Sequence, residues 1–143
     1  MEEYISTSEE QSIAYAKEIS DKTRNGGIIC IYGDLGSGKT FLSKHIAENM
    51  GIDRFSVKSP TYTYIREYRM GKKKLYHIDL YRLTESDDLL EMELEEIFEI
   101  PDNIVIIEWA DRLKNKVPAT SHKIYLEYIN ENTRKIKYEK NTD

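Results

Sequence analysis

Eight consecutive residues, at positions 33–40, have the types and spacing that suit the binding of a phosphate chain. They fit the pattern G-x-x-x-x-G-K-[ST] and are Gly33, Asp34, Leu35, Gly36, Ser37, Gly38, Lys39 and Thr40. Glycines let the backbone curl so that successive N–H groups converge on a phosphate, and a lysine at this spacing reaches the outer phosphates. The Thr40 hydroxyl can bind Mg²⁺. The segment therefore predicts a phosphate-binding loop for a nucleoside triphosphate and Mg²⁺.

The flanks of this phosphate-binding loop predict the elements that must position it. Residues 28–32 form an apolar, β-branched run of strand length that follows a Gly-Gly turn signal. After the loop, a helical spacing of buried-type residues continues until Gly51, with members Phe41, Leu42, His45, Ile46 and Met50. Strand, loop and helix thus follow in the required order, and the positive end of the helix points at the anion.

Two acidic residues each end a strand-like run and are candidates to complete the site. Glu108 comes directly after the apolar run 104–107, and Asp79 lies near the end of the run 75–80. In an open parallel sheet, ligands bind at the carboxyl ends of the strands, so both acids are expected there. One would hold the metal and the other would orient or deprotonate water, and the sequence leaves open which does which. The alternative for Asp79 is a helix cap or a surface ion pair.

A further candidate segment lies between the helix after the loop and Asp79. Residues 59–63 are rich in hydroxyl groups and contain a proline, in the place where a switch segment that senses the terminal phosphate would lie. Thr61 or Thr63 would then bind the metal or the nucleotide. An ordinary loop with turn-forming hydroxyls explains the same residues equally well, so this role is left open.

Patterns outside the loop predict two further helical regions. A short strand at positions 4–5 precedes a helix whose start suits a capping box, formed by Ser8 with Gln11 or by Thr7 with Glu10. A second region, 84–99, is acidic and is expected to form two short helices. Its apolar residues at helical spacing are Leu89, Leu90, Leu94, Ile97 and Phe98.

Hairpins and a long apolar run predict the sheet. One hairpin is expected in the middle of the chain with its tip near Gly71, and a second near the end with its turn at 130–132. The run 104–107 is apolar throughout and suits a central strand covered on both faces. Together these patterns predict a single domain, residues 1–143, with a three-layer α/β/α fold of the P-loop NTPase kind. Its central sheet is expected to be mixed, with antiparallel hairpin elements.

The composition limits the class of protein. The chain has 143 residues, of which 39% are hydrophobic and 33% charged, with no apolar run of membrane-spanning length. The first residues lack a signal-peptide pattern, and the one cysteine, Cys30, excludes an internal disulfide. We therefore expect a cytoplasmic protein without a membrane partner. The net charge of −5 provides no overall electrostatic footprint for nucleic acid.

Four segments together resemble one known family. The phosphate-binding loop, Ser-Pro-Thr-Tyr-Thr at 59–63, Tyr-His-Ile-Asp-Leu-Tyr-Arg-Leu at 76–83 and Ile-Glu-Trp at 107–109 occur in this order. In order and spacing they resemble the TsaE family of bacterial P-loop ATPases, also called YjeE. Many enzymes share the loop, whereas the segments 76–83 and 107–109 are much more specific.

The resemblance implies an accessory role in making N6-threonylcarbamoyladenosine in tRNA. It implies an ATPase that hydrolyses ATP while docked on a TsaB–TsaD complex. No lone arginine stands out as a finger, so we expect slow hydrolysis by the protein alone and stimulation by a partner. Contact with tRNA is expected only indirectly or through the complex. Lys39 and the loop would hold ATP, Thr40 and Glu108 would bind Mg²⁺, and Asp79 would be a catalytic carboxylate. The resemblance also assigns three neighbours of the nucleotide, namely Thr61 in the switch-like segment, Trp109, and Thr7 near the base.

The chain departs from the family pattern at two places. Ser37 stands where alanine is frequent, which adds only a hydroxyl group. Glu93 replaces a glycine, the residue type that permits a tight bend or close contact with the partner.

Other classes of nucleotide-binding protein contain the same loop. A GTPase would need a guanine-reading motif, and the nearest stretch, 115–118, has proline in place of its aspartate. That difference favours ATP over GTP. A small-molecule kinase stays open because arginines that could close over the phosphates are available at Arg66, Arg69 and Arg82. An ATP-gated binding module whose hydrolysis is incidental also stays open.

Overall fold

The computed structural model describes residues 2–53 and 64–141, which form seven strands, three α-helices and one 3₁₀ helix. In chain order these are β1 (Glu2–Ser6), α1 (Glu9–Thr23), β2 (Gly27–Tyr32), α2 (Lys39–Asn49), β3 (Ile65–Met70), β4 (Lys73–Asp79), α3 (Asp88–Phe98), β5 (Ile104–Glu108), the 3₁₀ helix (Ala110–Lys116), β6 (His122–Asn130) and β7 (Thr133–Lys140). Both predicted hairpins are confirmed, β3–β4 around Gly71 and β6–β7 around residues 131–132.

The strands form one mixed sheet in the order β1-β7-β6-β2-β5-β4-β3. The four interior strands β6, β2, β5 and β4 are parallel, whereas β3, β7 and β1 pair antiparallel with their neighbours. The carboxyl ends of four parallel strands therefore meet at one edge, where β2 runs into the phosphate-binding loop. The predicted mixed sheet is confirmed.

Apolar clusters cover both faces of this sheet. On one face, α1 and α2 pack through Ile19 and Ile46, and on the other α3 and the 3₁₀ helix pack through Leu94 and Leu113. All five residues of β5 are buried, and its apolar residues alternate between the two clusters. The three-layer α/β/α arrangement and the doubly covered strand are thus both confirmed.

The start of α1 has the predicted capping interactions, in one of the two expected pairings. The Ser8 hydroxyl accepts the N–H of Gln11 at 3.2 Å, and the Gln11 side chain accepts the N–H of Thr7 at 2.7 Å. These bonds satisfy amide groups that the first turn of a helix leaves unpaired.

The acidic region differs from the expectation. It contains a single helix, α3, whose N-cap Asp87 accepts the N–H of Leu90 at 3.0 Å. Leu89 is 80% exposed, so it does not belong to the buried stripe. Leu89 lies within α3, but the buried residues Leu90, Leu94 and Ile97 recur at spacings of four and three, so they share a face of the helix that excludes Leu89. None of the helices in the described part of the chain is long and apolar enough to cross a bilayer.

Candidate functional site

The phosphate-binding loop connects β2 to α2 by a tight turn. Ser37 donates its N–H to the carbonyl of Asp34 at 3.1 Å, and α2 begins directly afterwards. Gly36 and Gly38 have φ angles of 83° and 106°, a region that glycine adopts at little cost. The predicted order of strand, loop and helix is therefore confirmed. The backbone amides of the loop lie beside the N-terminus of α2, which favours an anion.

Lys39 lies inside the loop and is 5% exposed. Its Nζ atom donates to the carbonyls of Gly33 and Asp34 at 2.6 and 2.7 Å, and lies 4.0 Å from the centroid of the Trp109 ring. Burial lowers the pKa of the Lys39 ammonium, and nearby carboxylates, chiefly Glu108, oppose that effect. A buried cation thus lies at the position where a phosphate chain would need one.

The two candidate acids lie side by side. Asp79 and Glu108 are register partners at the ends of the parallel strands β4 and β5. Both therefore lie at the carboxyl edge of the sheet, as the strand-end pattern predicted, and the adjacency of β4 to β5 is what places them together.

Glu108 links the sheet to the start of α2. Its Oε1 atom accepts the Thr40 hydroxyl at 2.8 Å, its Oε2 atom lies 2.5 Å from Nε2 of His77, and the residue is 1% exposed. Burial raises the pKa of Glu108, but the hydrogen bonds from His77, Thr40 and Ser43 and the electrostatic attraction of the His77 ring outweigh burial and hold that pKa below its ordinary value. The carboxyl group is therefore held ionised against the Thr40 hydroxyl.

His77 is a site residue that our sequence reasoning did not single out. It is fully buried on β4, and within the described part of the chain its Nδ1 atom is buried without a hydrogen-bond partner. Strand alternation puts positions 77 and 79 on one face, and a polar residue on a buried face calls for a partner. That pattern is the signal that could have identified it.

Asp79 differs from Glu108 in its surroundings. It is only partly buried, and its Oδ1 atom accepts the N–H of Tyr81 at 3.0 Å at the turn after β4. The next residue, Leu80, donates its N–H to the carbonyl of Glu108 at 3.2 Å, which fixes the turn to the end of β5. Asp79 thus lies on an ordered turn at the rim of the site.

Trp109, for which the family resemblance implied a place near the nucleotide, adjoins the loop through Lys39. It has a left-handed backbone conformation, with φ 60° and ψ 41°, between β5 and the 3₁₀ helix. Its ring contacts Tyr81, with centroids 5.1 Å apart, and Arg112, whose guanidinium carbon is 5.3 Å from the ring centroid. Arg112 in turn donates to the carbonyl of Leu83 at 3.1 Å, so the segments after β4 and β5 are joined.

A cleft of about 180 Å³ opens on the other side of the loop. It lies between the start of α1, the loop and the β6–β7 turn, and its lining residues include Ser8, Gly38, Phe41, Asn132 and Arg134. Thr7 is exposed and is not among the lining residues, and its hydroxyl donates to the Gln11 side chain at 3.1 Å. Thr7, which the resemblance places near the base, therefore lies beside the cleft without lining it.

Arg134 is the second site residue that sequence reasoning missed. Its Nε atom donates to the carbonyl of Ser37 in the loop at 3.1 Å. The signal for Arg134 was its position on the buried face of β7, where a charged residue needs partners.

The arginines that the sequence offered to a kinase lie elsewhere. Arg66 and Arg69 lie on the edge strand β3, three strands from β2, and Arg82 is exposed.

The switch-like segment and its candidate Thr61 lie outside the described residues. Among the described ones, the structure brings the loop, Asp79, Glu108 and Trp109 together. Thr40 and Glu108 supply oxygen atoms at the end of the loop, which is the ligand type that Mg²⁺ takes alongside phosphate and water. The donor set therefore fits a magnesium ion.

Comparison with known proteins adds independent information. The sequence model of the family described as "Threonylcarbamoyl adenosine biosynthesis protein TsaE" matches residues 6–136. A Bacillus subtilis (strain 168) protein named tRNA threonylcarbamoyladenosine biosynthesis protein TsaE is 36% identical over 130 residues, covering 90% of this chain and 79% of that protein. The protein of the same name from Aquifex aeolicus (strain VF5) is 35% identical over 138 residues, covering 96% and 95% of the two chains.

A solved structure agrees with these sequence matches. The crystal structure of YdiB from Bacillus subtilis superposes with a TM-score of 0.73 at 28% sequence identity, covering 96% of this chain and 83% of that one.

Proposed function

Because this chain belongs to the TsaE family, we propose that it serves the biosynthesis of threonylcarbamoyladenosine in tRNA by binding and hydrolysing ATP with Mg²⁺. The family match supports the pathway, and the site supports the chemistry. The observation that carries the chemistry is the Thr40–Glu108 hydrogen bond of 2.8 Å at the end of a phosphate-binding loop that contains the buried Lys39.

The loop and Lys39 would bind the phosphate chain. Its amides and the N-terminus of α2 favour an anion, and Lys39 would exchange the carbonyls of Gly33 and Asp34 for phosphate oxygens. Thr40 and Glu108 would hold Mg²⁺, which when bound neutralises charge on the phosphates. The sequence lacks a guanine-reading motif, which favours ATP over GTP.

The different surroundings of the two acids support a division of labour. Glu108 is buried and already bonded to Thr40, which suits a metal ligand. Asp79 lies beside it on a partly exposed turn, where its carboxylate can orient a water molecule and accept its proton. We therefore assign the metal to Glu108 and the water to Asp79, the choice that the sequence left open.

We further propose that the protein works while docked on a TsaB–TsaD complex and hydrolyses ATP slowly alone. The family resemblance is the support for these partners. With a net charge of −5, the chain would meet tRNA through the complex.

The test is Mg²⁺-dependent phosphate release with and without TsaB–TsaD, for the wild type and for Lys39→Ala, Asp79→Asn and Glu108→Gln. The matched control is Asp102→Asn, because Asp102 is an exposed acid just before the opposite end of β5. We expect stimulation by the complex and loss of activity in the three site variants but not in the control.

Three outcomes would contradict the proposal. Equal rates with and without the complex would remove the accessory role. Transfer of the phosphoryl group to an added acceptor would indicate a kinase. If assembly of the complex depends on ATP binding but is unchanged in the hydrolysis-deficient variant Asp79→Asn, the protein is an ATP-gated binding module.

A further inference from the structure

We propose that Arg134 is a positioning residue for the phosphate-binding loop and that it ties the loop to the β6–β7 turn. This inference rests on the proposed nucleotide-binding function of the loop. Arg134 is the second residue of β7, and later residues on the same face, Ile136 and Tyr138, pack against α1 and α2. Its side chain therefore starts on the face of the sheet that carries α2 and reaches the loop at the start of that helix.

The guanidinium group of Arg134 is anchored on the turn before it reaches the loop. Its Nη1 atom donates to the carbonyls of Asn130 at 2.6 Å and Thr133 at 3.1 Å, and its central carbon lies 4.6 Å from the centroid of the Tyr128 ring. Because the group is planar and its donors have fixed directions, anchoring Nη1 also sets the direction of Nε. Nε then donates to the carbonyl of Ser37 at 3.1 Å.

This last bond orients a peptide group of the loop. The described peptide bonds include no cis bonds, so the carbonyl of Ser37 and the N–H of Gly38 point in opposite directions. Holding the carbonyl toward Arg134 therefore turns the N–H of Gly38 away from Arg134. In loops of this kind, backbone N–H groups bind the phosphates. Arg134 therefore fixes the direction of one N–H group, that of Gly38, that a nucleotide would contact.

The β6–β7 hairpin also supports the start of the loop. A Cβ atom added at Gly33 would lie 2.7 Å from the carbonyl oxygen of Leu126 on β6, so strand and loop are in close contact there. The same residue, Gly33, accepts a hydrogen bond from Lys39 through its carbonyl. The hairpin thus contacts both ends of the loop, by close packing at one end and by the Arg134 bond at the other.

The contacts indicate an effect on binding and not on the chemical step. The hydrogen bonds of Arg134 run to backbone carbonyls through Nε and Nη1, and none of them involves Asp79 or Glu108. Losing the bond to Ser37 should loosen the peptide between Ser37 and Gly38 in the free protein, so nucleotide affinity should fall while the turnover of bound ATP is kept.

The experiment compares Arg134→Gln and Arg134→Lys with the wild type. The matched control is Lys137→Gln, because Lys137 lies on the same strand and faces away from α2. Four quantities are measured: the dissociation constant of ADP with Mg²⁺ by calorimetry, KM and kcat for ATP with TsaB–TsaD present, and the Gly38 amide resonance by NMR without nucleotide.

We expect Arg134→Gln to raise the dissociation constant and KM about tenfold or more, as for loss of a hydrogen bond to a charged group. The kcat value should stay within about twofold, and the Gly38 resonance should move while core amides such as Ile106 stay in place. Arg134→Lys keeps the charge but lacks the planar group, so it should show the same changes, and it is the variant to examine if the glutamine variant melts early.

A wild-type Gly38 resonance and unchanged affinity in both variants would overturn the inference. A fall in kcat at unchanged KM would also overturn it, because Arg134 would then act on the transition state. If the wild type binds no nucleotide, the proposed function fails instead, and the Gly38 resonance still decides whether Arg134 positions the loop.

Discussion

Asp79 and Glu108 are direct neighbours at the ends of two parallel strands, yet their environments differ: Glu108 is 1% exposed and has hydrogen bonds on both carboxylate oxygens. Asp79 instead accepts the N–H of Tyr81 on a partly exposed turn. Two acids at one edge of the sheet thus have separate environments, which is the arrangement expected of acids with separate roles.

The first prediction separates these two roles. Glu108→Gln keeps the size of the side chain but removes its charge, so it should abolish the strengthening of ATP binding by Mg²⁺. Asp79→Asn should keep that strengthening and lower kcat about 100-fold or more, the usual effect of losing a general base. Calorimetry with ATP, in Mg²⁺ and in EDTA, and steady-state kinetics would check both. The reverse pattern would exchange the two roles.

The second prediction concerns the His77–Glu108 pair. His77→Ala should lower the free energy of unfolding by about 3 kcal/mol, because it leaves a buried carboxylate with one partner fewer. Urea unfolding would measure this. In a cycle of His77→Gln, Glu108→Gln and the double variant, we expect a coupling energy of about 1–3 kcal/mol. Additive effects would mean that the contact contributes no specific stability.

The third prediction uses the only tryptophan in the chain, Trp109. The Lys39 ammonium lies 4.0 Å from its ring centroid. Binding of ADP with Mg²⁺ should draw Lys39 toward the phosphates and so give a saturable change in Trp109 emission. Lys39→Ala should change the starting emission and remove the response, whereas Lys44→Ala, on the same helix, should retain both. A full response in Lys39→Ala would contradict this assignment.

The fourth prediction is a pH dependence of stability that comes from His122. Burial lowers its pKa to about 4 from 6.5, the charges of Lys140 and Lys22 act in the same direction, and its Nδ1 atom lies 2.7 Å from the Tyr138 hydroxyl. Between those pH values the unfolded chain binds a proton that the folded chain does not, so stability is full above pH 6.5 and falls as the pH drops toward 4.

We expect this fall to amount to about 1–3 kcal/mol and to be absent in His122→Gln. Urea unfolding at several pH values would measure it. The pKa of Glu108 is lowered from 4.5, so its contribution to stability is lost only as the pH falls below 4.5. The pH ranges of the two losses therefore distinguish His122 from Glu108. An unchanged slope in His122→Gln would assign the loss to other groups.

The features that the sequence by itself determined are those encoded by neighbouring residues. The turn at 33–40, the strand before it and the helix after it were predictable, because glycine conformations and helical spacing are local properties. Glu108 and Asp79 were recognisable as strand-end acids for the same reason. Strand alternation also determines that Arg134 and His77 start on a covered face of the sheet.

Only the tertiary structure decided which residues meet. The bonds of Glu108 to Thr40 and His77 span 68 and 31 positions, and the bond from Arg134 to Ser37 spans 97. A local sequence pattern predicts the face of the sheet on which a side chain lies, but strand order and register determine which residues lie opposite that side chain. In this protein the order β7-β6-β2-β5-β4 brings Arg134 to one side of the loop and the acids and His77 to the other.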